Sequence, residues 1–214
     1  MQNIKLLHIN KGIQSQFTLK MKLKKAYFLQ SDVVKLASDL IGKVLVTKSG
    51  NTLTSGIITE TEAYNGIVDK ASHAYGGRRT QRTEVMFAEG GISYVYLCYG
   101  IHNLFNIVTN AKDVPHAVLI RAIQPFEGKQ HILKRRNAKT LTKNLVGPGK
   151  VSSALGITLK HNALDLGGNK LWLEDDNIKP KNILCGQRIG VDYAGEDAKL
   201  PYRFWIEGEI KQEP

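Results

Sequence analysis

Glu60-Thr61-Glu62-Ala63-Tyr64 closes a run that alternates as a strand does, and alternation places Glu60, Glu62 and Tyr64 on one face. A carboxylate beside a tyrosine at a strand end, with a long loop following, suits a general base at the mouth of a pocket. Two solvated glutamates on an exposed strand face would read the same way. Arg121 sits within Ala117-Val118-Leu119-Ile120-Arg121-Ala122-Ile123. A guanidinium in so apolar a run needs a partner, because an unpaired buried charge is costly. Glu62 is the partner expected, in a pair that can hold a water between its charges; a salt bridge without chemistry is the plainer alternative.

Tyr94-Val95-Tyr96-Leu97-Cys98-Tyr99 gathers three of the eight tyrosines into six residues. Tyr94 and Tyr96 share a face, and Tyr99 falls at a tip beside Gly100. Aromatic rings on a sheet can stack nucleobases, although cross-strand packing is the commoner use of tyrosine in strands. The loop His73-Ala74-Tyr75-Gly76-Gly77-Arg78-Arg79, with Arg82 close behind, brings cations and backbone N–H groups that can grip phosphates, or else a solvated turn. Metal chemistry has no such support. Asp69 and His73 are four apart, and His102 and His116 add no recognised ligand spacing. Neither a P-loop nor a dinucleotide fingerprint is present.

The elements that must position these residues are legible in outline. Ser31 is expected to cap a short amphipathic helix with Val33, Val34, Leu36, Ala37 and Leu40 on its apolar face and Gly42 as its stop. Strands are predicted over 43–47 and 53–62 about a Ser49-Gly50-Asn51 turn, over 92–99 and 104–109 about Gly100, and over 117–124. Residues 64–80 form an irregular stretch too long for an idle connection. A short helix is expected over 81–87, a basic one over 127–137, and another entered through Gly147-Pro148-Gly149-Lys150 and ending near Leu155. Short strands over 171–173, 183–191 and 202–206 complete the chain. The pattern is one α+β domain.

The chain is 214 residues long, 42% hydrophobic and 23% charged, values that exclude extensive disorder and fibrous classes. No run of about 18 apolar residues is present to cross a membrane. Two cysteines, Cys98 and Cys185, are too few for a disulfide framework, and with no secretory signal pattern they point to an intracellular setting. Thirty Lys and Arg against nineteen Asp and Glu leave a net charge of +11, which suits a polyanionic partner. Before Asp32 there is no acidic residue, while Lys5, Lys11, Lys20, Lys22, Lys24 and Lys25 are basic. Residues 1–25 are therefore expected to be a flexible basic extension with either Met1 or Met21 as the start, and residues 26–214 the folded domain.

Taken together, Glu60-Thr61-Glu62-Ala63-Tyr64, Ala71-Ser72-His73, the run from Gly77 through Phe87, Tyr94 through Gly100, Asn106, Arg121-Ala122, Gly147-Pro148-Gly149-Lys150, Arg188-Ile189-Gly190 and Pro201-Tyr202-Arg203-Phe204 resemble the alkyladenine (3-methyladenine) DNA glycosylase family. The resemblance covers about residues 26–207. It implies a single mixed α/β domain with a curved antiparallel sheet and a protruding β-hairpin that enters the DNA minor groove. It also implies a monofunctional, metal-free and cofactor-free hydrolase that flips an alkylated or deaminated purine out of duplex DNA and cuts its N-glycosidic bond. On that resemblance Glu62 is the base and Arg121 helps hold the attacking water. Tyr64, His73, Tyr96, Asn106 and Met86 line the base pocket, Tyr99 is the wedge, and Arg78, Arg79, Arg82 and Lys150 touch phosphates. The expected partner is double-stranded DNA, not a membrane, and the expected state is a monomer. Gln81 stands where the family pattern leads one to expect proline, and the arm lies outside the resemblance. A basic nucleic-acid-binding protein without catalysis is the alternative, set apart by Glu62 and Arg121, since a pure binder has no use for a carboxylate facing phosphates.

Overall fold

The computed structural model describes residues 21–210. Lys5, Lys11 and Lys20 of the arm lie outside the described residues. Strand β1 (Met21–Lys22) already pairs antiparallel with β8 (Leu171–Asp175), and Leu23 is buried. Ordered structure thus precedes the boundary expected near residue 26; the flanking lysines mask so short a strand.

Helix α1 (Val33–Asp39) is capped by Asp32, whose carboxylate accepts from the Lys35 N–H at 2.9 Å, and not by Ser31 as expected. Both residue types cap well; Asp32 is the one with extended backbone immediately before the first helical residue. Val33, Leu36 and Ala37 face inward, as the apolar spacing requires. Strands β2 (Val44–Ser49) and β3 (Thr52–Tyr64) form a hairpin, and β4 (Ile92–Cys98), β5 (His102–Thr109) and β6 (His116–Pro125) follow as a meander. Helix α2 (Lys129–Arg136), strand β7 (Leu145–Val146), helix α3 (Pro148–Leu155) and, past β8, strands β9 (Leu184–Gly186) and β10 (Arg203–Trp205) complete the elements.

The strands make one curled antiparallel sheet in the order β1-β8-β2-β3-β6-β5-β4, with β10 pairing β3 and β9, and β7 pairing β6. The α+β class and single mixed domain expected from sequence are what the chain forms. Helix α1 packs on β3, α3 crosses β5 and β6, and α2 lies on α3, so helices and sheet share one core around Leu36, Leu45, Ile58, Phe105, Ile120 and Leu155. A second apolar cluster of Met86, Phe87, Tyr94, Val108 and Ala117 lies on the sheet beneath the 65–83 loop. The β3–β6 ladder is regular except around Thr59 and Arg121: Ile58 pairs Ile123, Glu60 pairs Ala122 and Thr61 pairs Ile120, leaving one residue unpaired on each strand.

Two predicted elements are shorter than expected. The helix over 81–87 is only a 3-10 turn, Glu84–Phe87. The Thr83 hydroxyl oxygen accepts from the Thr80 N–H at 2.8 Å, and the hydroxyl donates to the Arg78 carbonyl at 2.8 Å, local bonds that compete with a helix. Gln81 is exposed in the turn that precedes Glu84. The strand over 183–191 ends at Gly186, because Arg188 turns inward to Asp69. No helix among the described residues is long and apolar enough to cross a membrane.

Candidate active site

Strand register builds the site. Directly paired residues in an antiparallel sheet share a face, and Glu62 pairs Leu119, Leu119 pairs Asn106, and Asn106 pairs Tyr94. One row across β3, β6, β5 and β4 therefore aligns a carboxylate, an apolar floor, an amide and a phenol. Neighbouring rows contribute Tyr64 against Ala117 and Tyr96 against Leu104. Over this floor lies a cavity of about 240 Å³, closed by His73 and Met86 from the loop after β3, Tyr99 from the β4–β5 hairpin, Pro148 from α3, and Ile189 and Tyr193 from the chain before β10.

Glu62 sits directly behind that lining with no solvent exposure. Its Oε2 accepts from the Tyr64 hydroxyl at 2.9 Å and its Oε1 from the Ile189 N–H at 2.8 Å. Arg121 Nε is 3.3 Å from Glu62 Oε1, yet it donates at 3.1 Å to Glu60, which also accepts from Arg203 at 3.1 Å. Arg121 thus belongs to a charge group with two carboxylates, where sequence led one to expect Glu62 alone. Burial pushes the Glu62 carboxyl above its ordinary range, and Arg121, the Ile189 N–H and the Tyr64 hydroxyl only partly offset that. A carboxylate so placed is a stronger base than a solvated one and is held in one orientation.

His73 is a wall of the cavity. Its Nδ1 lies 2.9 Å from the Tyr94 hydroxyl, its Nε2 lies 3.3 Å from Arg82 Nη2, and its ring meets Tyr96 edge-on at 4.8 Å. Arginine can only donate, so Nε2 accepts and the proton is on Nδ1. Burial, with Arg82 and Arg78 nearby, lowers its pKa to about 4, so the ring is neutral at pH 7. The folded state then binds fewer protons than the unfolded state between about 6.5 and about 4. Stability conferred by this site is present above that window and lost as pH falls through it. His116 and His161 are lowered too and act with the same sign. A His73→Gln variant should therefore lose stability less steeply on acidification; unfolding titrations at several pH values check this, and parallel slopes would contradict it.

Tyr96 and Tyr94 stand 5.4 Å apart, with Arg82 4.8 Å over the Tyr96 ring. Asn106 donates to the Tyr94 carbonyl at 3.2 Å from the cavity floor. Tyr99 is 90% exposed at the hairpin tip, and both it and Gly100 have positive φ, 50° and 73°. Paired positive φ values are what tight hairpin turns need, but they are unusual for a tyrosine. Leu97 and Ile101 are exposed beside it.

The cationic residues divide. Arg78 and Arg82 are exposed and line, with Lys70, a second cleft of about 480 Å³ that adjoins the first through His73 and Tyr193. Lys150 is exposed in the first turn of α3. Arg79, grouped with these as a phosphate contact, is already committed: it bonds both oxygens of Glu84 at 2.7 and 2.8 Å and Asp113 at 2.8 Å, and covers Phe87. Its charge is matched within the protein, which the Arg78-Arg79 doublet does not reveal. Three further participants are not apparent from the sequence. Tyr193 lines both cavities, the Ile189 N–H binds Glu62, and Arg188 lies over Tyr64 while paired with Asp69, a residue considered above only as a metal ligand. The Arg188-Ile189-Gly190 motif was the available signal.

Comparison with known proteins gives a consistent picture. The model of the methylpurine-DNA glycosylase family matches residues 27–210. A protein of Chlamydia abortus, provisionally named 3-methyladenine DNA glycosylase, is 48% identical over 186 residues, 86% of this chain and 97% of its own length. Provisionally named 3-methyladenine DNA glycosylases of Bacillus cereus and Clostridium novyi are 45% and 43% identical, over 85% and 87% of this chain and 94% and 96% of their own lengths.

Proposed function

This chain belongs to the methylpurine-DNA glycosylase family, and from that premise we propose that it removes alkylated or deaminated purines from duplex DNA by hydrolysis with water activated by Glu62. It is a DNA glycosylase, a hydrolase of DNA repair. The observation that carries the finer reading is the buried Glu62 carboxylate, fixed behind an aromatic cavity by Tyr64, Ile189 and Arg121. A base within a duplex cannot reach such a cavity, so the nucleotide is extruded, at a cost of a few kcal/mol. Tyr99 fills the vacated stack, as inserted side chains do in other minor-groove complexes. Arg78, Arg82 and Lys150 hold phosphates, and Arg121 steadies the water.

In the chemical step the water oxygen bonds to C1′ of the sugar while the C1′–N bond breaks. The bonding electrons leave with the base, and the water proton passes to Glu62. An N-alkylated purine is cationic and departs neutral, so it needs no proton from the protein. Neutral lesions need donors along the purine edge, where the Tyr94 hydroxyl stands with the His73 Nδ1–H behind it. The product is an abasic site, and the enzyme works inside the cell as a monomer without metal or cofactor.

Release of free base from duplex oligonucleotides carrying 3-methyladenine, hypoxanthine or ethenoadenine tests the reading; retention of all three bases would reject it. The same duplexes separate wedge from phosphate grip. Tyr99→Ala should lower excision while leaving the slope of log affinity against log salt in place, because no charge is removed. Arg78→Ala should weaken binding to damaged and undamaged DNA alike and make the slope shallower by about 0.9. Deleting residues 1–20 should act like Arg78→Ala if those lysines touch DNA. Equal slopes for Arg78→Ala and the wild type would remove Arg78 from the phosphate contacts.

A further inference from the structure

Arg188 and Asp69 form the most deeply buried ion pair among the described residues, with side chains 0% and 1% exposed. Buried ion pairs are poor stabilisers compared with apolar packing, so stability alone does not account for this one. Arg188 engages both oxygens of Asp69, one of them at 2.8 Å, and donates to the Ala63 carbonyl at 2.9 Å and the Asp197 carbonyl at 3.0 Å. Asp69 also accepts from the Asn65 and Ala71 N–H groups at 3.0 and 2.9 Å. The guanidinium lies 5.0 Å over the Tyr64 ring and 5.3 Å over Tyr202. Arg188 is thus tied to the Glu62–Tyr64 strand end through three links: the carbonyl between them, the face of Tyr64, and its own neighbour Ile189, whose N–H bonds Glu62.

We propose that Arg188, locked by Asp69, is a positioning residue for base excision: it sets the Ile189 N–H against Glu62 and backs the Tyr64 ring, so the carboxylate faces the attacking water in one orientation. The inference rests on Glu62 being the base. Around Glu62 stand Glu60 on its own strand, Arg121 from β6, Arg203 from β10 through Glu60, the Tyr64 and Tyr193 hydroxyls, and Arg188. Asp69 cancels the Arg188 charge. Removing one half of the pair or the other should therefore move Glu62 ionisation in opposite directions, whereas a pair that only tied down the loop, uncoupled from the carboxylate, would leave it unmoved.

The test is single-turnover excision against pH on a duplex with a cationic methylated purine, whose departure needs no proton, so that the acid limb reports the base. Arg188→Met should lower the rate about 10- to 100-fold, as misplacement of a catalytic group does, and move the acid limb to higher pH. Asp69→Asn leaves the Arg188 charge unmatched and should move the limb to lower pH. Arg188→Lys, with the charge but not the fork, should fall between wild type and Arg188→Met. Unshifted limbs, or shifts of the same sign in Arg188→Met and Asp69→Asn, would overturn the proposal. If Arg188→Met does not fold, the sign of the Asp69→Asn shift decides alone. Glu62→Gln in the same series separates the two ideas. If it keeps the rate and the limb, the base assignment fails; if it abolishes excision while the limbs of the other variants stay put, only the role of Arg188 fails.

Discussion

Glu62→Gln should lower single-turnover excision of an alkylated purine by about 10²–10⁴-fold, the usual cost of losing a general base. The amide keeps the length and shape of the side chain, and its oxygen can still accept from the Ile189 N–H or the Tyr64 hydroxyl. It cannot take a proton from water. Affinity for lesion-bearing duplex should be unchanged or higher, because the substitution removes a buried negative charge from a site proposed to receive DNA. Burial raises the Glu62 carboxyl, so its ionised form costs stability at neutral pH, and that cost is relieved as pH falls through the folded-state value. The variant should accordingly unfold no more readily than wild type at pH 7, with any gain shrinking on acidification. Rapid-quench kinetics beside equilibrium binding check the first expectation, and an excision rate within about threefold of wild type would reject the assignment.

Tyr96→Ala should cost more on a cationic base than on a neutral one. The ring lines the cavity, braced by the edge of His73 at 4.8 Å and by Tyr94 at 5.4 Å, and on the proposed reading it offers a π face to an extruded base. A cation over such a face gains about 0.5–2 kcal/mol, so the ratio of kcat/KM for 3-methyladenine to that for hypoxanthine should fall about 2- to 30-fold. Tyr96→Phe keeps the ring and should keep the ratio. Equal losses on the two substrates with Tyr96→Ala would mean that the ring acts by packing alone.

The parts legible in the sequence are those whose partners are local or periodic. Alternation located β3, β4, β5 and β6 to within a few residues, and Pro148 after Gly147 marked the start of α3. It also put Glu62 and Tyr64 on one face, where they are hydrogen-bonded. Long-range pairing was not legible. Asp69 and Arg188 are 119 residues apart in the chain, and nothing in either neighbourhood names the other. The same gap hid the short extent of β9, since a run of residues 183–191 has strand-like composition until Arg188 is drawn inward. Alternation makes Glu60 an equal of Glu62 on a shared face; that Arg121 and Arg203 both converge on Glu60 depends on β10 lying beside β3. Arg79 shows the converse. Its composition reads as a phosphate contact, but Asp113, 34 residues on, takes part of its charge.

The irregularity in the β3–β6 ladder bears on which changes of length the chain can accept. Thr59 is one residue in excess on β3 and Arg121 one in excess on β6, and the two offsets cancel, so Ile58–Ile123 and Thr61–Ile120 belong to the same register. Side chains alternate faces, so a one-residue deletion in either strand turns everything on one side of the defect to the opposite face. Losing Thr59 alone would set the segment from Glu60 to Tyr64 out of step with β6. Losing Arg121 alone would do the same from the other strand. Only a paired deletion would restore the ladder, and it would remove the arginine beside Glu62. Insertions belong in the Gly50-Asn51 turn, where the backbone is exposed and nothing downstream changes face. Spacing at this level of the sheet is therefore constrained along with residue identity: a deletion at Thr59 or at Arg121 alone leaves an unbalanced bulge, and only a second deletion across the ladder removes it.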